Sequence, residues 1–380
     1  MAQTALLTLG RLPKGLDIAR ALQTAGWRVV VADPFKRHLC SSSNAVDRCH
    51  QVTAPVADAD QYTADLLAII EAESISLVVP ISEEAMFAAA LKDRMPEGVR
   101  FFGPDLDTIR ALHDKAAFIE TAAALGLAVP ETHRLGTPAA EQLAARSDVI
   151  VKRVFSSAGI GVETVAQGAP LPPTSSAPAL VQARLTGRHR SSVSLAFEGR
   201  PLGHVFYEGT VFSETVAVAF RRIDAPDLED WCEPFIRETR HTGFIAFDFI
   251  DDETGRAHAI ECNPRANSGV HFFDPTALGE ALADPETAPM ITHRPARLMQ
   301  QFLPCLTEAQ ANVFNAQKRR NHWHYLTRSK DVTWSAADPW PLVMMTPNSW
   351  AILKRSIFQG ETFGEAAVAD IAYLGPDQPG

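Results

Sequence analysis

The chain has 380 residues, 46% of them hydrophobic and 21% charged, with a formal net charge of −10. That length suggests two or three domains of about 150 residues, and the composition is that of an ordinary globular protein with material for a core. The acidic balance argues against nucleic acid or an anionic membrane as the main partner, because phosphate backbones need excess Lys and Arg, while a local cationic pocket for a small anion stays compatible.

The opening "MAQTALLTLGRLPKG" lacks a basic n-region and a long apolar core, so it does not read as a secretory signal. No run reaches the roughly 18 apolar residues of a membrane span. Five scattered cysteines (Cys40, Cys49, Cys232, Cys262, Cys305) form no C-x-x-C pair. They read as reduced, mostly buried thiols, and the expected location is cytoplasmic.

"TALLTLG" reads as a short buried strand, "GLDIARALQTAG" as a helix stopped at Gly26, and "WRVVVADP" as a second strand carrying Asp33. "ADLLAIIEAESI" is helical, and "SLVVPIS" and "VRFFGPD" add two more strands. This alternation predicts a parallel sheet with helices on its faces. The first turn, G-R-L-P-K-G from Gly10 to Gly15, is not G-x-G-x-x-G. It lacks the second glycine that lets backbone approach a pyrophosphate, so NAD binding is not expected. At the end of "VVPISEEA", Ser82, Glu83 and Glu84 read as a solvated helix N-terminus capped by Ser82, in preference to a site for a substrate amine.

"DKAAFIETAAALGLAVPET" predicts a helix beginning at Lys115, a stop at Gly126, and a short strand entering Pro130. "SDVIVKRVFSSAGIGVETV" follows as strand, small-residue loop and strand, and residues 168–179 read as a Pro/Ser-rich surface loop. "LVQARLTGRHRSSVSLAFEGRPLGHVFYEG" alternates like antiparallel strands with "EGRP" at the turn. "PDLEDWCEPFIRETRH" is helical. In the tail, "EAQANVFNAQKRRNHWHYL" reads as helical, and "SWAILKRSIFQGETFGEAAVADIAYLG" as one or two helices with a strand-like "DIAYLG".

The chemistry concentrates in the hairpin "GFIAFDFI–DDETGR–AHAIECNPR". Side chains two apart on a strand share a face, so Glu261, Asn263 and Arg265 point together until Pro264 ends the ladder. A turn centred on residues 253–256 brings Asp248 opposite or nearly opposite Glu261. Two adjacent carboxylates repel and are costly to bury, and a hard cation such as Mg²⁺ resolves that cost with carboxylate, amide and phosphate oxygens. An Arg at the edge can grip a phosphate or carboxylate. A solvent-facing polar edge is the competing reading, but the flanking strand is too apolar for it. His271 and Ser268 follow closely, either facing a substrate or packing.

Lys152 ends a buried strand, and Ser156, Ser157, Gly159 and Gly161 follow as a small-residue loop whose backbone N–H groups can approach phosphate oxygens. Taken alone, an ordinary hairpin loop is as good a reading.

Together these segments resemble the ATP-grasp superfamily, over roughly residues 1–275. Glu261-x-Asn263-Pro264-Arg265 is the most specific part, similar to the carbamoyl-phosphate synthetase and biotin carboxylase branch. The resemblance implies a mixed α/β and α+β chain. A Rossmann-like pre-ATP-grasp domain would span 1–110, the small subdomain with its phosphate-loop lid 111–180, and the large subdomain with the metal hairpin 181–290. A mostly helical extension would fill 291–380.

The same resemblance implies site roles. Lys115 and Lys152 would contact ATP phosphates, and Ser156, Ser157, Gly159 and Gly161 would close over them. Gln182 and Ala183 would lie in the hinge along the adenine. Asp248, Glu261 and Asn263 would hold Mg²⁺, two ions by expectation, with Mn²⁺ as a substitute. Arg265, with Lys152, would act on the transferring phosphoryl group. The hinge departs from the family, since Gln182 and Ala183 stand near its usual Glu, and Arg188, His189 and Arg190 stand where an acid often meets the ribose.

The implied activity is a stand-alone ligase that joins a small-molecule carboxylate to an amine through an acyl phosphate, with release of ADP and phosphate. Self-association as a homodimer is allowed. The alternatives are a bicarbonate-using enzyme of the carboxyphosphate type and a non-catalytic ATP-binding regulatory protein.

Overall fold

The structure, a computed structural model, describes residues 3–155, 161–174, 177–213, 216–360 and 362–375. The N-terminal unit runs β1 (Thr4–Leu7), α1 (Pro13–Thr24), β2 (Arg28–Asp33), β3 (Arg48–Gln51), α2 (Ala59–Ala72), β4 (Leu77–Val79), a one-turn α3 (Ala85–Ala88) and β5 (Arg100–Phe101). Its strands pair in parallel in the order β3-β2-β1-β4-β5. Both faces are covered. Leu7, Val31 and Val79 join one core, and Leu6, Val30 and Val78 the other, so the middles of these strands are apolar on both faces. β3 reads Arg-Cys-His-Gln on a half-exposed edge, and that polarity hid it from the sequence reading.

Next come α4 (Leu106–His113), α5 (Lys115–Ala124), β6 (Thr132–Arg134), α6 (Pro138–Arg146), β7 (Val149–Arg153), β8 (Glu163–Val165) and β9 (Ala179–Ala183). Asp114 caps α5 by accepting from Ala116 N and Ala117 N, which fixes where Lys115 emerges. The four strands form an antiparallel sheet, β6-β9-β7-β8. The strand expected before Pro130 is irregular chain, and pairing starts only at Thr132. Proline has no N–H to give a ladder.

The third unit contains β10 (His189–Phe197), β11 (Arg200–Ser213), β12 (Val216–Ile223), α7 (Pro226–Glu238), β13 (Gly243–Asp251), β14 (Ala257–Asn263) and α8 (Pro275–Ala283). Glu198 and Gly199 turn the first hairpin with φ of 49° and 83°, as a two-residue turn requires. Phe247 and Phe249 of β13 lie on one face against Trp231 and Phe235 of α7, with ring centroids 5.0–5.3 Å apart for the pairs Trp231–Phe247, Trp231–Phe249 and Phe235–Phe247. Asp248 between them therefore points to the other face.

The tail holds β15 (Leu298–Gln300), α9 (Phe302–Ala311), α10 (Ala316–Arg328), β16 (Lys330–Asp331), α11 (Trp340–Val343), α12 (Met345–Asn348), α13 (Trp350–Gln359) and α14 (Phe363–Val368). It is mostly helical, yet β15 and β16 extend the large sheet to β14-β13-β10-β11-β12-β15-β16. The helix expected over residues 308–326 breaks at residues 312–315, where Asn315 caps a new start at α10. "DIAYLG" is not a strand. Asp370 pairs with Arg11 at 2.6 Å, and the Tyr373 ring meets Phe87 and Phe155 edge-on. Among the described residues no helix is long and apolar enough to cross a membrane.

Candidate active site

The β13–β14 register sets Asp248 directly opposite Glu261, with an irregularity in the ladder just after Asp248. Asn263 lies on the same face, and its Nδ2 donates to Asp248 Oδ2 at 3.2 Å. Ser191 of β10, paired with Asp248 on the other side, donates its hydroxyl to Asp248 Oδ1 at 2.6 Å. Burial and then Glu261 push the Asp248 carboxyl up to about 6. The pair is thus a site short of positive charge, and its donor set of two carboxylates and an amide oxygen fits a hard divalent cation.

That shift has a measurable sign. Between about pH 4 and 6 the folded chain keeps a proton on Asp248 that the unfolded chain has released, so stability falls as pH rises through that window and is flat above it. The fall should reach up to ~3 kcal/mol. Adding Mg²⁺ near neutral pH should reverse it, raising the unfolding temperature by an amount that fades below pH ~6. Thermal unfolding with and without Mg²⁺ across that range checks this, and a transition indifferent to Mg²⁺ at every pH would contradict the assignment.

Two lysines come to this face, one from α5 and one from the smaller sheet, and Lys115 contacts a carboxylate. Lys115 Nζ lies 3.3 Å from Glu261. Lys152, on β7, donates from Nζ to Gln182 Oε1 and to the Ile260 carbonyl, both at 2.9 Å. Burial lowers the Lys152 ammonium to about 8, against the opposing pull of Glu261. Gln182 is itself buried and donates to Thr132 Oγ1 at 2.9 Å. Gln182, expected in the hinge, therefore positions Lys152. Ala183 ends the same strand, its N–H on the Glu131 carbonyl.

Arg265 turns off the end of β14 after Pro264. Its Nη2 donates to Asn263 Oδ1 at 3.1 Å and to Glu83 Oε1 at 2.5 Å, while its Nε is buried with no partner among the described residues. A buried guanidinium N–H without an acceptor is costly, and a ligand oxygen would satisfy it.

Glu83 corrects the expectation of a solvated helix start at Ser82–Glu84. All three residues are buried. Burial would raise the Glu83 carboxyl, but Arg265, His113 and Lys14 hold it below its ordinary value. Glu84 accepts from Thr8 Oγ1 and from the N–H groups of Ile81 and Ser82, tying the ends of β1 and β4 together.

Lys14, in the turn that fails the dinucleotide pattern, donates from Nζ to the Ala266 carbonyl at 2.7 Å. Burial and neighbouring Arg265 lower its ammonium to about 7. Asp33, at the end of β2, is engaged internally by Gly10 N, Arg11 N and the Arg11 guanidinium.

The structure thus gathers Lys115, Lys152, Gln182, Asp248, Glu261, Asn263 and Arg265. Ser156, Ser157 and Gly159 lie outside the described residues, and Gly161 sits at φ 72° in the turn before β8. His271 faces away, its Nδ1 2.6 Å from Asp17 in a buried pair. Sequence reasoning missed Ser191, Glu83 and Lys14. The lysine inside the glycine-flanked turn at Gly10–Gly15 was the one local signal.

No protein-family model matches the chain, and no curated protein matches it in sequence. Solved structures match its fold. N5-carboxyaminoimidazole synthetase from Staphylococcus aureus, complexed with ADP, aligns over 87% of this chain and 90% of its own, with a TM-score of 0.61 and 15% identity. L-amino acid ligase from Bacillus licheniformis aligns over 78% of each chain with a TM-score of 0.57 and 14% identity. Biotin carboxylase from Campylobacter jejuni covers 74% of this chain and 68% of its own at 0.56 and 14% identity. The chain therefore shares the fold of these proteins, which is the outcome that the ATP-grasp resemblance over residues 1–275 leads one to expect.

Proposed function

We propose that the protein is an ATP-dependent carboxylate–amine ligase. The observation that carries this reading is the cross-strand pair Asp248–Glu261, approached by Lys115 on one side and flanked by Asn263 and Arg265. The fold matches support it, since the proteins named above include a synthetase and an amino acid ligase.

In this reading Asp248, Glu261 and Asn263 would hold Mg²⁺. When bound, the ion offsets triphosphate charge and orients the phosphoryl oxygens. Lys115 and Lys152 meet the phosphates, the segment Ser156, Ser157, Gly159 and Gly161 covers them, and Gln182 and Ala183 border the adenine. The substrate carboxylate attacks the γ-phosphorus, ADP leaves, and an acyl phosphate remains. The amine then attacks the acyl carbon, loses a proton and expels inorganic phosphate. The protein's contribution is alignment and fixed positive charge. Arg265 would meet the phosphoryl oxygens as negative charge shifts, a role that its guanidinium bond to Glu83 and its unpartnered Nε among the described residues support.

The domain limits that go with this reading are 1–110, 111–180, 181–290 and 291–380, and the setting is cytoplasmic. The test is Mg²⁺-dependent ADP release with pooled amino acids and small carboxylates, set beside bicarbonate alone. Release with the pools is expected. Release with bicarbonate alone would move the reading to carboxyphosphate chemistry, and tight ATP binding with no release under any condition would replace it with a regulatory one.

A further inference from the structure

A second cluster of ligand-type side chains stands on the opposite side of the large sheet. His204 of β11 pairs with Ser194 of β10, three residues along from Ser191, so it points away from the face that carries Asp248. That other face is covered by α7. Glu229 and Glu233 lie one turn apart on α7, hence on one side of the helix. One ligand atom from each of His204, Glu229 and Glu233 lies within 4.8 Å of the other two.

His204 is the informative member. It is only 6% exposed. Its Nδ1 is engaged with Ser194 Oγ at 2.8 Å, while its Nε2 is buried with no hydrogen-bond partner among the described residues. A ring nitrogen held by a hydroxyl, with the other nitrogen bare, is the arrangement that metal-binding histidines need. Burial, and then His293, lower the imidazolium to about 4, so the ring is neutral at physiological pH and its lone pair is available. Neither Glu229 nor Glu233 has a side-chain hydrogen bond or ion pair among the described residues. Two carboxylates at i and i+4 repel.

We propose that His204 Nε2, Glu229 and Glu233 bind a divalent transition-metal ion of the zinc type, separate from the Mg²⁺ of the ATP site. Imidazole nitrogen favours such ions over Mg²⁺, which takes oxygen ligands almost alone. Ligand atoms around tetrahedral Zn²⁺ stand about 3.4 Å apart, given bonds of about 2.0–2.1 Å, so small rotations of the two glutamates close the site. Glu229 is exposed, and a water completes the coordination from the solvent side. The ion fastens α7 to β11. The same helix holds Arg190 through Asp227 at 2.8 Å, and Arg190 grips Asp251 at the end of the strand that carries Asp248.

The full-length protein, stripped with chelator and held in excess Mg²⁺, is titrated with Zn²⁺ by calorimetry and with Co²⁺ by visible absorption. One equivalent of Zn²⁺ is expected, with tetrahedral Co²⁺ bands and a higher unfolding temperature. His204→Ala and Glu233→Gln should each weaken binding by about 100-fold or more, and Glu261→Ala should leave it unchanged. If His204→Ala does not fold, Glu229→Gln at its exposed position decides the matter. Absence of stoichiometric binding, or binding that survives these variants, or binding lost in Glu261→Ala, overturns the proposal. None of these outcomes depends on turnover.

Discussion

Glu261→Ala is expected to lower kcat for Mg²⁺-dependent ADP release by about 10²–10³-fold while leaving the protein folded. Glu261 is half-buried opposite Asp248 and, after burial, is the main cause that raises the Asp248 carboxyl. Removing one takes away a metal ligand and also a repulsion, so the Asp248 carboxyl should drop back from about 6 toward the ordinary carboxylate range. Lys115 loses one partner, at 3.3 Å, which offsets part of that gain. The unfolding temperature should therefore stay level or rise in the absence of Mg²⁺ and lose its response to Mg²⁺. Steady-state kinetics and thermal unfolding on one preparation test both halves. A variant with wild-type turnover would show that the metal lies elsewhere.

Arg265→Ala should be the more damaging change, because it acts on catalysis and on the fold. Glu83 is 2% exposed and its carboxylate is neutralised chiefly by Arg265. Truncating the arginine leaves a buried charge without its hydrogen-bonded partner, a loss of about 3–5 kcal/mol. The double variant Glu83→Gln/Arg265→Ala should recover most of that stability, since both charges are then gone. It should not recover turnover, which should stay about 10²–10³-fold down. Denaturant unfolding separates the two effects. Turnover restored in the double variant would mean that Arg265 serves the fold alone.

The residues that proved legible in the sequence are those whose partners are set by short-range geometry. Counting from a turn centred on residues 253–256 pairs Asp248 with Glu261; in the structure the loop sets Asp251 opposite Ala257, and the irregularity just after Asp248 brings Glu261 to it, while the period of two places Asn263 beside them. The Asp114 cap fixes Lys115 in the same local way. What stayed hidden depends on contacts between distant segments. Glu83 meets Arg265 across 182 positions and Lys14 meets Ala266 across 252. No local pattern distinguishes such a glutamate from an exposed helix start. Gln182 looked like a defect in the hinge, yet it is the side chain that fixes Lys152. β3 was missed because an edge strand need not be apolar, and "DIAYLG" was over-read because its apolar residues pack as single anchors.

The most direct measurement is trapping of the acyl phosphate. The full-length protein is incubated with Mg-ATP, the carboxylate pools and hydroxylamine, and hydroxamate and ADP are quantified together. The ligase account predicts hydroxamate formed in step with ADP, dependent on Mg²⁺ and absent in Glu261→Ala. ADP released in the presence of the pools with no hydroxamate, or hydroxamate formed equally well by Glu261→Ala, would contradict it.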